Sequence, residues 1–267
     1  GNLPMVKFLL KGWSSLATTE DDLGLLPLHL AAASGHLEVA EFLSEELPDT
    51  VYAKSRTEVT PLHVAGARGS LAVLKFFCRL CPELLKEKTQ TGLTVLHLAA
   101  VQGNLQTVQF LVDFCPELIM VQDRKGNTAA HLATGRNHVK VVQFFIQRCH
   151  RLLEVINRGG WTLLHMATFA GHFSLSKLCA ERNPELLEMQ SFEHRQARNC
   201  NFAGFTPVHM AAFYDHLHIL QYLVEKFPKA SKVLSRCNWT PMHCAAQQGH
   251  WQVLDYLVKT HPEMATV

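Results

Sequence analysis

One histidine recurs along the chain at a nearly fixed interval, and that period restricts the fold more than any other property. His29, His63, His97, His131, His165, His209 and His243 are separated by 34, 34, 34, 34, 44 and 34 residues. Self-similarity at such a period marks an array of stacked units, none of which can bury its apolar face alone. A residue at a repeating position is therefore read first as scaffold. Only the positions that vary between units are free to carry function.

The consensus unit runs G-x-T-P-L-H-x-A-A-x-x-G-H-L-x-V-V-x-F-L-V-x-x-C-P-E-L-L. Threonine caps a helix and proline fits its first turn. Leucine, histidine and two alanines follow on a short helix whose small side chains permit close packing. Gly35, Gly69, Gly103, Gly171 and Gly249 end that helix, with Asn137 and Asp215 in two units. All three residue types tolerate the left-handed conformation needed there. Leu105, Val108, Leu111 and Val112 then trace the apolar stripe of a second helix. Pro48, Pro82, Pro116, Pro184, Pro228 and Pro262 stop it, with His150 at that place in the fourth unit. Polar, glycine-containing fingers lead to the next unit.

The stretches TPLHVAGARGS, TVLHLAAVQGN and TPVHMAAFYDH resemble the ankyrin repeat signature, and the resemblance covers essentially the whole chain. It implies an all-α solenoid of paired antiparallel helices with projecting β-turn fingers. About seven full repeats are expected after an N-terminal half repeat. The reading is one domain over 1–267: a partial repeat at 1–20, then 21–54, 55–88, 89–122, 123–156, 157–200 with a ten-residue insertion, 201–234 and 235–267. Glu58 and Asn238 replace the finger glycine, so those two turns are expected to differ. Val95, Ala129 and Leu163 replace the proline. The extra ten residues are placed within 188–205. Both ends read as ordinary repeat helix rather than polar cap, so the chain is expected to be a segment of a larger protein.

Composition sets few further limits. A net charge of +2 with 18% charged residues does not make nucleic acid the expected partner. No apolar run is long enough to span a bilayer. Cys81, Cys115 and Cys149 are copies of one repeat position, about a repeat width apart and too distant to bridge. Reduced thiols in a cytoplasmic or nuclear protein are expected.

The sixteen histidines invite a metal reading, but twelve belong to the repeat. Besides the seven above, His36, His138, His172, His216 and His250 follow at seven residues on. Their expected work is hydrogen bonding between neighbouring units, because buried polar groups are paired. Cys78 and Cys81 have Cys-x-x-Cys spacing without the strand context of a redox motif or the second ligand pair of a zinc site; core packing is expected. Cys200 and His194 supply two ligand types where four ligands are needed. No nucleophile elbow, phosphate loop or carboxylate pair stands out, so no catalytic residue, metal or cofactor is assigned.

Recognition is expected at the finger tips and the exposed side of the first helix, where the scaffold demands least. Those positions hold seven basic residues, Arg56, Arg68, Arg124, Lys125, Arg136, Arg158 and Arg236, against Asp22 and Glu58. This local excess exceeds the whole chain's net charge and favours an acidic ligand. The late units add six aromatics: Trp161, Phe169, Phe205, Phe213, Tyr214 and Trp239. Exposed aromatics and arginines dominate interface hot spots. The insertion contributes His194, Arg195, Arg198 and Phe202. Together these imply a non-catalytic adaptor or scaffold that binds a protein partner, such as an acidic peptide with apolar anchors, in a concave groove. The alternative is a cytosolic spacer or assembly domain of a larger channel, ubiquitin-ligase adaptor or cytoskeletal scaffold.

Overall fold

The computed structural model describes residues 1–192 and 204–262. Its described residues form helices and turns without strands. They divide into two compact units, Gly1–Arg124 and Lys125–Val267.

In the first unit, α1 (Leu3–Gly12) is a second-type helix followed by a 3-10 turn. Three helix pairs succeed it: α2 (Pro27–Ser34) with α3 (Leu37–Glu46), α4 (Pro61–Arg68) with α5 (Leu71–Leu80), and α6 (Val95–Val101) with α7 (Leu105–Phe114). The second unit contains α8 (Ala129–Gly135) with α9 (Val139–Arg148), α10 (Leu163–Phe169) with α11 (Phe173–Arg182), α12 (Pro207–Phe213) with α13 (Leu217–Lys226), and α14 (Pro241–Gln248) with α15 (Trp251–Thr260). Within each unit first helices stack on first helices and second on second. Each unit is thus a short all-α repeat solenoid.

The local chemistry follows the repeat. Thr60, Thr162 and Thr240 cap their helices by accepting from the backbone N–H three residues on. The helix-ending glycines adopt φ of 72–75°, and Asn137 and Asp215 follow at 61° and 60°. Pro48, Pro82, Pro116, Pro184 and Pro228 do more than stop the second helices, since each opens a 3-10 turn, and such turns bury apolar residues, as with Leu84 and Leu85 or Leu186 and Leu187. His150 opens the same turn without a proline. Cys78 and Cys81 are buried core thiols, and burial pushes Cys78 up to about 12.

One expectation is corrected. Glu58 and Asn238 do not alter their fingers: they take φ of 60° and 58°, the left-handed conformation of Gly92 and Gly160. The rest of each hairpin is intact, with Ser55 N–H donating to the Val59 carbonyl at 2.9 Å and Ser235 N–H to the Trp239 carbonyl at 3.0 Å. The ladder of backbone bonds and the serine hydroxyls, which accept from Val59 N–H and Trp239 N–H, hold the turn against the cost of a side chain at positive φ.

The position of the insertion is also sharpened. Ser191 N–H donates to the Phe205 carbonyl at 2.9 Å, the bond that Ser55 makes to Val59. Phe192 N–H donates to the Gly159 carbonyl as Arg56 N–H does to Leu23. Gly204 has φ of 74°, the finger-glycine value. The extra residues therefore enter after Phe192 and before Gly204, within the finger that leads into α12. His194, Arg195, Arg198, Cys200 and Phe202 lie outside the described residues.

Close packing between first helices is tuned to sequence. Val95 stands where other units have proline, and it is fully buried. A methyl group on Gly66 would run into Val95 Cγ2, whereas the corresponding positions hold the fully buried alanines Ala32 and Ala100. Gly66→Ala is expected to lower stability by about 1–3 kcal/mol through overpacking. Adding Val95→Ala should recover part of that loss, so that urea unfolding shows a coupling between the two sites; strictly additive changes would refute this pairing.

Candidate functional site

The scaffold histidines are the starting point, because they fix the residues around which a site can form. His29, His63, His131, His165 and His209 of the first helices each accept at Nδ1 and donate from Nε2. Thr128 presents its hydroxyl to His131 Nδ1 at 2.9 Å and Thr162 to His165 at 2.9 Å. In the second unit Nε2 then reaches forward to the next finger: His131 to the Trp161 carbonyl at 3.1 Å, His165 to Phe205 at 3.2 Å, and His209 to Trp239 at 2.8 Å. The second histidine of the motif reaches backward to the preceding first helix. His172 bonds the Gly135 carbonyl at 3.3 Å, His216 that of Phe169 at 3.1 Å, and His250 that of Phe213 at 2.8 Å.

Five of the six aromatic residues singled out in the sequence thus have carbonyls held by a repeat histidine. Tyr214 is the sixth, and it follows Phe213 directly. Their rings form one continuous cluster. Trp161 lies 5.0 Å from Phe169, which meets Tyr214 edge-on at 4.8 Å. Tyr214 contacts Phe213 at 5.1 Å, Phe213 contacts Phe205 at 5.8 Å, and Phe205 contacts Trp239 at 6.3 Å. These tilted and T-shaped arrangements, at such separations, are the ones aromatic pairs prefer.

The cluster has a buried floor and an open side, which corrects the expectation of six exposed anchors. Phe205 is only 2% exposed and Phe213 9%. Phe205 is enclosed by Phe213, Trp239 and the stacked His209 ring at 5.5 Å. Trp161, Tyr214 and Trp239 are half-buried, and Phe169 is exposed. These four keep part of their surface exposed, while Phe205 and Phe213 are packed among the rings of the cluster. Burial also raises the Tyr214 hydroxyl above its ordinary value.

The basic residues are placed as expected. Arg56, Arg68 and Arg124 are exposed in the first unit, and Lys125, Arg136, Arg158 and Arg236 in the second. Asp22 and Glu58 are exposed in the first unit as well. Several of the arginines also have a packing role that the charge count hides. Arg158 lays its stem over Gly126, with Cγ 3.2 Å from where a Cβ would stand, and Arg124 lies over Gly92 at 3.0 Å. A long side chain can cover a finger glycine while its guanidinium stays in water.

Counting straight back from His209 assigns Phe202 to that tip position in the sixth repeat. The backbone pairing gives the position to Phe192, whose ring lies over Gly160 and is 43% exposed. Subtracting the ten extra residues from the finger would have found it. Among the described residues no group of three His, Cys, Asp or Glu side chains is placed to hold a metal ion. No helix there is long and apolar enough to cross a membrane.

A family model described as ankyrin repeats (three copies) matches residues 1–83, 50–117, 96–184 and 175–266. No curated protein matches the chain.

The buried histidines make a pH dependence of stability. Burial lowers His63, His165 and His209 to about 4, below the unfolded value of about 6.5. Between these two values the unfolded chain binds protons that the folded chain refuses, so unfolding is favoured as pH falls. Stability is fully present above about 6.5, erodes through that window and has lost this contribution below about 4. Each histidine can account for up to about 3 kcal/mol. Melting temperature measured from pH 7.5 to 4 should fall mainly below 6.5, and a flat profile would contradict the assignment.

Proposed function

Because the chain belongs to the ankyrin repeat family, whose repeats are generally protein–protein interaction modules and typically non-catalytic, we propose that it is an adaptor or scaffold that takes a partner protein on the aromatic face of its second unit. The observation that carries this reading is the continuous cluster from Trp161 through Phe169 and Tyr214 to Trp239. Its open members are large, nearly rigid and already oriented, so little conformational entropy is lost when a partner orders them. The buried Phe205 and Phe213 keep them from collapsing inward. Lys125, Arg136, Arg158 and Arg236 bias the same unit towards an acidic partner, speeding encounter and selecting against basic surfaces.

Work in the cytoplasm or nucleus is part of the proposal. Its support is the buried core thiols of Cys78, Cys81, Cys179 and Cys244. A reducing compartment keeps such thiols unreacted.

The Trp161→Ala/Trp239→Ala double variant tests the reading. Alanine at each of these positions removes a half-buried anchor, and a loss of about 2 kcal/mol or more per residue is expected for a hot spot. The measurement is affinity for a partner first isolated with the unaltered chain, made on variants whose circular dichroism is unchanged. Unaltered affinity in the folded double variant would remove the aromatic face from the account.

A further inference from the structure

Successive finger tips of the second unit present a basic, an aromatic and a basic side chain at the same structural position. Arg158, Phe192 and Arg236 are all exposed. Each sits on the finger glycine before it: Arg158 over Gly126, Phe192 over Gly160 and Arg236 over Gly204. At Gly160 a Cβ would stand 2.7 Å from Phe192 Cγ, and at Gly204 it would stand 2.5 Å from Arg236 Cγ. These side chains are therefore seated on the backbone at their stems and open to solvent at their ends. Backbone bonds tie the tips together, from Arg158 N–H to the Lys125 carbonyl at 3.0 Å and from Phe192 N–H to the Gly159 carbonyl at 2.8 Å. Among the described residues neither Arg158 nor Arg236 forms an ion pair.

We propose that this row reads an extended acidic segment of a partner protein in the register acidic-x-x-apolar-x-x-acidic. The inference rests on the interaction reading above and specifies the ligand for that same unit. The register follows from two lengths. Packed helices lie about 10 Å apart, so neighbouring tips are separated by roughly that distance. A chain in the extended polyproline-II conformation advances about 3.1 Å per residue and turns once every three, so one tip-to-tip step spans about three residues and returns the side chain to the same face. A carboxylate meeting Arg158 therefore places an apolar side chain at Phe192 three residues on and a second carboxylate at Arg236 after three more. Arginine favours carboxylates because its planar donors match both oxygens. Phe192 carries no charge to pair, and its exposed ring gains by covering apolar surface.

The test is selection from a displayed library of randomised nine-residue peptides on the folded chain, read by sequencing. The expected result is enrichment of acidic residues six apart with an apolar residue midway. Arg158→Glu should turn the preference from acidic to basic at one end only, Arg236→Glu at the other end, and Phe192→Ser should cut enrichment of the central apolar residue at least tenfold. Enrichment with a different spacing, or end preferences that ignore the charge reversals, overturns the register. Selection of no peptide also overturns it. The aromatic-face reading would then still stand or fall by the Trp161 and Trp239 variants against a folded partner.

Discussion

The structure depends on a buried neutral imidazole that bonds in two directions at once. A repeat unit of two short helices cannot bury enough surface to stand alone, so its stability lies in its junctions. His29 accepts from Leu26 N–H at 3.1 Å and bonds the Val59 carbonyl of the next finger at 3.0 Å. His63 likewise bonds in both directions, to Thr60 N–H and to the Glu87 carbonyl just before the next finger. A second polar side chain completes the junction from the other side, whether histidine, as at His172, serine at Ser70 or asparagine at Asn104. The chemistry asked of the forward bond is stricter. It needs an acceptor and a donor on one rigid ring at fixed separation, and the first position is histidine in all seven repeats. The backward bond needs only a donor, and that position varies.

This distinction explains what was legible in the sequence. The period, the helix caps, the left-handed helix ends and the structural role of the histidines all follow from residue type at a recurring position. They were readable because local chemistry decides them. Exposure was not readable in the same way. Trp161, Phe205 and Trp239 share one repeat position, yet Phe205 is enclosed because its own unit supplies Phe213 and the next supplies Trp239. Burial there is decided by neighbours one repeat away. Glu58 and Asn238 differed from expectation for a related reason: the hydrogen-bonded finger imposes its conformation on whatever residue occupies the position. Phe192 was missed because ten inserted residues break the count that identifies every other finger tip.

The same junctions connect scaffold to site. Carbonyls of Trp161, Phe205 and Trp239 accept forward bonds, and those of Phe169 and Phe213 accept backward ones. The aromatic cluster is thus anchored through its backbone by groups that would exist whatever side chains stood there. Variation at the more open positions, Trp161, Phe169 and Trp239, changes the proposed recognition face while leaving these backbone bonds in place. An interaction module can acquire a new partner in this way at little cost in stability, since the side chains that specify binding and those that hold the stack are different residues.

The most direct measurement is the tautomer and charge of the repeat histidines by long-range proton–nitrogen NMR at pH 7. Neutral rings protonated at Nε2 are expected for His29, His63, His131, His165 and His209, because each bonds a carbonyl through Nε2 and accepts a donor at Nδ1. Rings protonated at Nδ1, or charged at that pH, would contradict the two-way junction on which both the fold and the proposed face rest.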